Sequence, residues 1–368
     1  MDSPYIREIQ VAIGAIQAAA RISQSVISAE DKGVVEKDDL SPVTVADFAI
    51  QALLTCTVHH AFPADRFVGE ESAAELRDNP ALLDRVWGLL QRVREDHGDA
   101  ASLCEIPASP EQMCEMIDWC GSGEPGGAAQ AARVWVFDPI DGTKTFVQSE
   151  AYAINVALLE GGRQTLSVVG CPTLPVDAVA PVSNTTLDLT GRGCVVFAAR
   201  GYGAYVRPLL PGPAGDDGVP IRKIEPHAET ATQQDLRAVS CYHLLDSGVN
   251  DAHQAIMERL GIASPGCDFL SWVLRWVTLG LGLANVTVWV YKERERVGKI
   301  WDHAGAMLLF EEVGGKITDV DGKDIDLAVG RKMTANHGFV AAPRALHDTV
   351  LKTVHEVLHE QGKAHLLA

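Results

Sequence analysis

Apolar residues at Ile6, Ile9, Ile13, Ile16, Ala20 and Ile27 recur at close to the helical period, so residues 4–29 are predicted to form one long amphipathic helix. A second helix-like stretch runs from Phe48 to Val58, and Arg66-Phe67-Val68 then reads as a short strand. Between 73 and 133 the periodicity is lost; this segment reads as a polar surface excursion with a short helix near Gln112 to Cys120. Strand signals follow at 134–137, 152–159, 165–170 and 194–199, with turns at Gly161-Gly162 and Gly201-Tyr202-Gly203. The stretch from Pro211 to Gly218 is a loop by composition. Beyond it strand and helix alternate: a strand at 238–240, a helix at 250–260, the apolar stretch 269–290, a helix at 303–313 and a strand at 316–318. A final amphipathic helix runs from about Arg344 to His359. Strands grouped early and alternation later predict an α+β N-terminal domain, residues 1–185, packed on an α/β C-terminal domain, residues 186–368.

The stretch from Phe269 to Val290 is long enough to raise the question of a membrane. Arg275 inside it, and glycines at 280 and 282, favour a buried helix followed by a central strand instead. Hydrophobic residues make up 47% and charged residues 22%, the balance of a globular chain rather than a disordered one. With 31 basic against 49 acidic residues the formal charge is −18, which argues against a nucleic-acid polymer as partner. The same charge would repel a phosphate substrate unless cations bound at the site. The eight cysteines contain no Cys-x-x-Cys pair, which argues against a zinc site of that type. Met1-Asp2-Ser3-Pro4 shows no secretory signal, so reduced thiols and a cytoplasmic location are expected, with no membrane and no obligate protein partner.

The chemistry concentrates in Asp138-Pro139-Ile140-Asp141-Gly142-Thr143. Two carboxylates at the end of a strand, followed by a glycine and a hydroxyl, suit hard divalent cations that take oxygen ligands. A pair of such ions can clamp the attacking and leaving oxygens of a phosphate ester. An Asp-Gly turn is common by itself, but further carboxylates accompany this one. Asp47 closes Ser41-Pro42-Val43-Thr44-Val45-Ala46-Asp47 and opens a helix; Glu70-Glu71 follow a strand; Asp302, in Trp301-Asp302-His303-Ala304-Gly305, is placed at a helix start. Asp47 and Asp302 could each serve as an N-cap, and Glu70-Glu71 as a solvated face. The backbone N–H groups of Gly142 and Thr143, opening a helix at Lys144, would form an anion cradle.

Taken together and in this order, the four motifs resemble the lithium-sensitive, Mg²⁺-dependent phosphatases of the inositol monophosphatase superfamily. Lys144 after the threonine, Ser41-Pro42-Val43-Thr44 and the long insertion between Glu71 and Asp138 are similar to the eukaryotic 3'(2'),5'-bisphosphate nucleotidase branch. The resemblance implies a layered αβαβα sandwich with the metal site between its halves. It implies Mg²⁺, two or three ions per site, on Glu70, Asp138, the Ile140 carbonyl, Asp141 and Asp302. Asp47 and the Thr143 hydroxyl would orient and deprotonate the attacking water. Gly142, Thr143, Ser271 and Arg275 would meet the substrate, a small phosphate ester. The expected reaction removes the 3'-phosphate of 3'-phosphoadenosine 5'-phosphate to leave AMP. The alternatives are a phosphatase of inositol phosphates or polyphosphates, and a metal- or nucleotide-binding sensor without turnover.

The resemblance departs at the substrate wall. Where the branch carries a histidine pair, this chain reads Asp246-Ser247-Gly248-Val249-Asn250, with His243 a few residues early. A Ser-x-x-Lys motif becomes Trp272-Val273-Leu274-Arg275 with Ser271 one place off, and an expected arginine falls on Trp289. Arginine keeps the charge of lysine but not its geometry. Trp272 and Trp289 could stack on a base or fill the core. Lys292, Arg294 and Arg296 could supply charge or form a solvated run.

Overall fold

The structure, a computed structural model, describes residues 3–28, 32–36, 42–97, 104–121, 133–211, 220–242 and 247–368. Its helices, numbered in chain order, are α1 (Ile6–Ile27), α2 (Val45–Ala61), α3 (Ala74–Asp78), α4 (Pro80–His97), α5 (Pro110–Trp119), α6 (Thr143–Val147), α7 (Asn250–Arg259), α8 (Trp272–Gly280), α9 (Ala306–Glu311) and α10 (His347–Glu360). Strands β3 (Arg66–Gly69), β4 (Arg133–Asp141), β5 (Ala153–Glu160), β6 (Arg163–Cys171), β7 (Cys194–Ala199), β8 (Gly203–Pro208) and β9 (Arg222–Lys223) lie side by side in that order as one sheet. β3 and β4 are parallel; every later neighbour is antiparallel. β12 (Thr287–Trp289), β14 (Phe339–Pro343) and β13 (Gly315–Thr318) form a second, antiparallel sheet. Two small pairs complete the strands: β1 (Val35–Glu36) with β2 (Pro42–Val43), and β10 (Val239–Ser240) with β11 (Cys267–Asp268).

The layering follows from strand alternation. On β4, Trp135 and Phe137 face one core, shared with Ile16 of α1 and Phe48 of α2, while Val134 and Val136 face the other. That second core holds Trp276 of α8, Leu309 of α9, and Ile317 and Phe339 of the small sheet. Val340 and Ala342 on the far face of β14 pack against Val350 and Val354 of α10 and Ile256 of α7. The order is therefore helix, sheet, helix, sheet, helix, the expected αβαβα sandwich. Sheets covered on both faces carry near-continuous apolar strands, and β5 does so from Ala153 to Leu159 except at Asn155.

Several local expectations are corrected. Much of 73–133 is regular: α4 buries Leu82, Val86, Leu89, Leu90 and Val93, which recur at helical spacing among charged neighbours. The helix expected at 303–313 occupies only Ala306–Glu311. β8 and β14 had no predicted counterpart. The large sheet continues through β7, β8 and β9, past residue 185. Most of the loop expected from Pro211 to Gly218, together with Ser41, His243 and Asp246, lies outside the described residues. Among the described residues no helix is long and apolar enough to cross a membrane; 269–290 contains α8 and β12.

Candidate active site

Thr44 sits in extended backbone and starts α2, its Oγ1 accepting from the Ala46 N–H at 3.2 Å. Asp47 answers three residues on: its Oδ2 accepts from the Thr44 N–H at 2.8 Å and from the Thr44 hydroxyl at 2.6 Å. Asp47 is therefore the third-position member of a capping box, not an N-cap. Such caps stabilise a helix by about 1 kcal/mol. Here the cap also fixes the carboxylate, because it leaves Oδ1 3.5 Å from the Thr143 hydroxyl. That hydroxyl lies nearer the Ile140 carbonyl, at 3.1 Å.

β4 delivers the next two carboxylates through an irregularity. Its register with β5 shifts between Asp138 and Asp141, where Pro139 has no N–H for the ladder. Gly142 then turns the chain at φ 90°, and a Cβ there would come within 2.8 Å of Thr145 Oγ1. Asp141 is clamped from the opposite side. Its Oδ2 accepts from the Ser271 hydroxyl and from the Val273 N–H at 2.6 Å, at the start of α8. A helix N-terminus favours negative charge there. Asp302 ends a 3-10 turn, Ile300–Asp302, and does not cap α9, which begins after Gly305.

Carboxylate oxygens of Asp138, Asp141 and Asp302 lie within 4.8 Å of one another. Burial, then the charges of Glu70 and Asp141, push the Asp138 carboxyl well above the usual range. Asp302 moves the same way, through burial and then Asp141 and Glu70. For Asp141 burial raises the pKa to about 6, held back by its bonds from Ser271 and Val273. Asp138 Oδ1 is buried with no hydrogen-bond partner among the described residues. Crowded carboxylates with an orphaned oxygen form an all-oxygen donor set that fits a hard divalent cation.

The expected substrate residues divide. Thr143 is partly exposed beside Asp47, and Gly142 is buried in the turn. Ser271 is buried and its hydroxyl is committed to Asp141 and to the Leu274 N–H. Arg275 is placed differently from the expectation: none of it is exposed. Its guanidinium donates to the carbonyls of Phe269 (2.8 Å) and Leu270 (3.1 Å) and lies 4.1 Å and 4.7 Å from the Trp272 and Trp289 rings. Trp289 is thus core, with Trp272 packed beside it. Arg294 is tied to Asp321, and Arg296 lies over Tyr291, so neither is simply solvated.

Two site residues went unnoticed in the sequence. Asn155 Nδ2 donates to the carbonyls of Trp301 (2.7 Å) and Ala304 (2.8 Å), on either side of Asp302. Gln164 Oε1 accepts from the Gly305 N–H at 2.7 Å. The available signal was an amide alone in the apolar run of β5.

Residues 6–359 match the profile described as the inositol monophosphatase family. A 3'(2'),5'-bisphosphate nucleotidase of Emericella nidulans is 34% identical over 367 residues, covering 96% of this chain and 99% of that one. One of Schizosaccharomyces pombe is 32% identical over 350 residues, 94% of each chain. Among solved structures, an IMPase of Thermotoga maritima superposes with a TM-score of 0.57 at 18% identity, covering 96% of this chain and 99% of that one. The chain belongs to the inositol monophosphatase family. It is accordingly a hydrolase of the phosphatase class.

Proposed function

We propose that this phosphatase removes the 3'-phosphate of 3'-phosphoadenosine 5'-phosphate, with Mg²⁺ as cofactor. The reading is carried by one observation: relatives named for bisphosphate nucleotides match this chain over 94% or more of both lengths. Glu70, Asp138, the Ile140 carbonyl, Asp141 and Asp302 would hold Mg²⁺, two or three ions per site. Bound there, Mg²⁺ would neutralise charge on the phosphate and acidify water near neutral pH. The Thr143 hydroxyl, 3.5 Å from Asp47 Oδ1, would hold the attacking water and relay its proton to that carboxylate. The water oxygen would add to phosphorus as its proton passes to Asp47, and the bond to the ribose 3'-oxygen would break. That oxygen would take a proton from solvent water, and AMP and inorganic phosphate would leave. The substrate is a small molecule; no nucleic-acid polymer and no obligate protein partner enters this reading.

A second reading, hydrolysis of inositol phosphates, draws support from the burial of Arg275, which removes one cation from the wall expected to meet the non-reacting phosphate. A lost charge-assisted contact costs about 1.5–3 kcal/mol, roughly ten- to a hundredfold or more in kcat/KM. Phosphate release from 3'-phosphoadenosine 5'-phosphate, inositol 1-phosphate and inositol 1,4-bisphosphate decides between them. The nucleotide should lead, by less than roughly a thousandfold. Higher kcat/KM on an inositol phosphate would replace the nucleotide assignment.

A further inference from the structure

Asn155 has no exposed surface and points to the same face of β5 as Ala153 and Ala157, toward the turn that carries Asp302. Its two short contacts are to carbonyl oxygens, which can only accept, so Nδ2 must be the atom that faces them. Across the ladder, Asn155 is the register partner of Asp138. One side chain therefore joins the strand paired beside Asp138 to the turn that supplies Asp302. Charged carboxylates so close repel each other, and the two Asn155 bonds, with the Gln164 contact to Gly305 beside them, tie the turn against that repulsion. We propose that Asn155 is a positioning residue that sets the spacing of Asp138 and Asp302, and through it the affinity of the carboxylate cluster for divalent cations. The inference rests on the metal-dependent reading above.

Asn155→Ala removes both donors, and Asn155→Leu removes them while nearly keeping the volume. Mn²⁺ titrated into each protein by calorimetry should bind at least roughly tenfold more weakly than to the wild type, the scale of lost support behind a metal ligand. The Mg²⁺ concentration for half-maximal phosphate release should rise in parallel, with kcat at saturating Mg²⁺ changed far less. A purely structural role would lower the melting temperature and leave both metal midpoints in place. If the alanine chain fails to fold, the leucine chain gives the reading. Wild-type affinity in a folded variant, within about twofold, overturns the inference and leaves the phosphatase reading standing. A wild-type protein that neither binds Mn²⁺ nor releases phosphate overturns both.

Discussion

At its first residue β4 carries Arg133, whose guanidinium binds Glu8 at 2.8 Å, Asp65 at 3.1 Å and Glu160 at 3.0 Å. At its last residues the same strand carries Asp138 and Asp141, which meet Asp302. Among the described residues no arginine or lysine is ion-paired with any of these three. One end gathers acids around a cation of the chain that is bonded to them; at the other, among the described residues, Lys299 and Arg275 act on Asp302 and Asp141 only from a distance, without an ion pair. Proximity of carboxylates is thus no defect in itself. Its meaning depends on whether the fold provides the neutralising charge or leaves it to a ligand.

Substitutions at the two ends should separate activity from stability. Asp141→Asn and Asp302→Asn should each lower phosphate release by roughly a thousandfold, about 4 kcal/mol of barrier. Because each removes a crowded charge, the metal-free protein should melt no lower than the wild type. Near-normal turnover at saturating Mg²⁺ would take either residue out of the ligand set. Arg133→Ala should act the other way. Leaving Glu8 and Asp65 without their shared cation should cost roughly 2–3 kcal/mol of stability, reduced from a fully buried pair because the cluster is partly exposed. Urea unfolding measures the loss, and activity per folded molecule should hold. A comparable fall in kcat would show that the two ends are coupled.

A smaller effect concerns protons and metal together. Asp141 titrates near 6 in the folded protein, above an unfolded carboxyl, because burial penalises its charge. The folded metal-free state therefore holds the extra proton, and this contribution to stability is lost as pH rises through about 6. Mg²⁺ should compensate where the proton has left. The rise in melting temperature on adding Mg²⁺ should be larger at about pH 7.5 than at about pH 5.5. Chelation should stop turnover, and Ca²⁺, with its looser shell, should not restore it. Equal gains in melting temperature at both pH values would separate Asp141 from the bound cation.

Asp138, Asp141 and Thr143 are legible in the sequence because their chemistry demands particular residue types at close spacing. Asp47 is legible as a helix-start carboxylate, but its place in the box needs Thr44 to be seen accepting from the backbone. Helix α4 escapes because its apolar stripe is diluted by charge. The burial of Arg275 is not legible, because a charge in an apolar helix reads as a ligand contact and the two carbonyls and two indole faces beside it are set by the fold. Asn155 is the hardest to read, since its partners are 146 and 149 residues away along the chain. Local patterns record what a residue is; such a contact exists only once the sheet has formed.

Gly305 has φ 84°, and a Cβ added there would lie 2.7 Å from the Ala157 Cβ and 3.3 Å from Asn155 Oδ1. The turn bearing Asp302 can rest on the sheet only because one position has no side chain and its neighbour has a single methyl. This links the histories of residues remote in sequence. A larger side chain at 157 would push the turn away, and a side chain at 305 would be strained wherever 157 stood. In any lineage that keeps the site, 305 should stay glycine and 157 should stay small, two constraints that one turn imposes on two remote places in the chain.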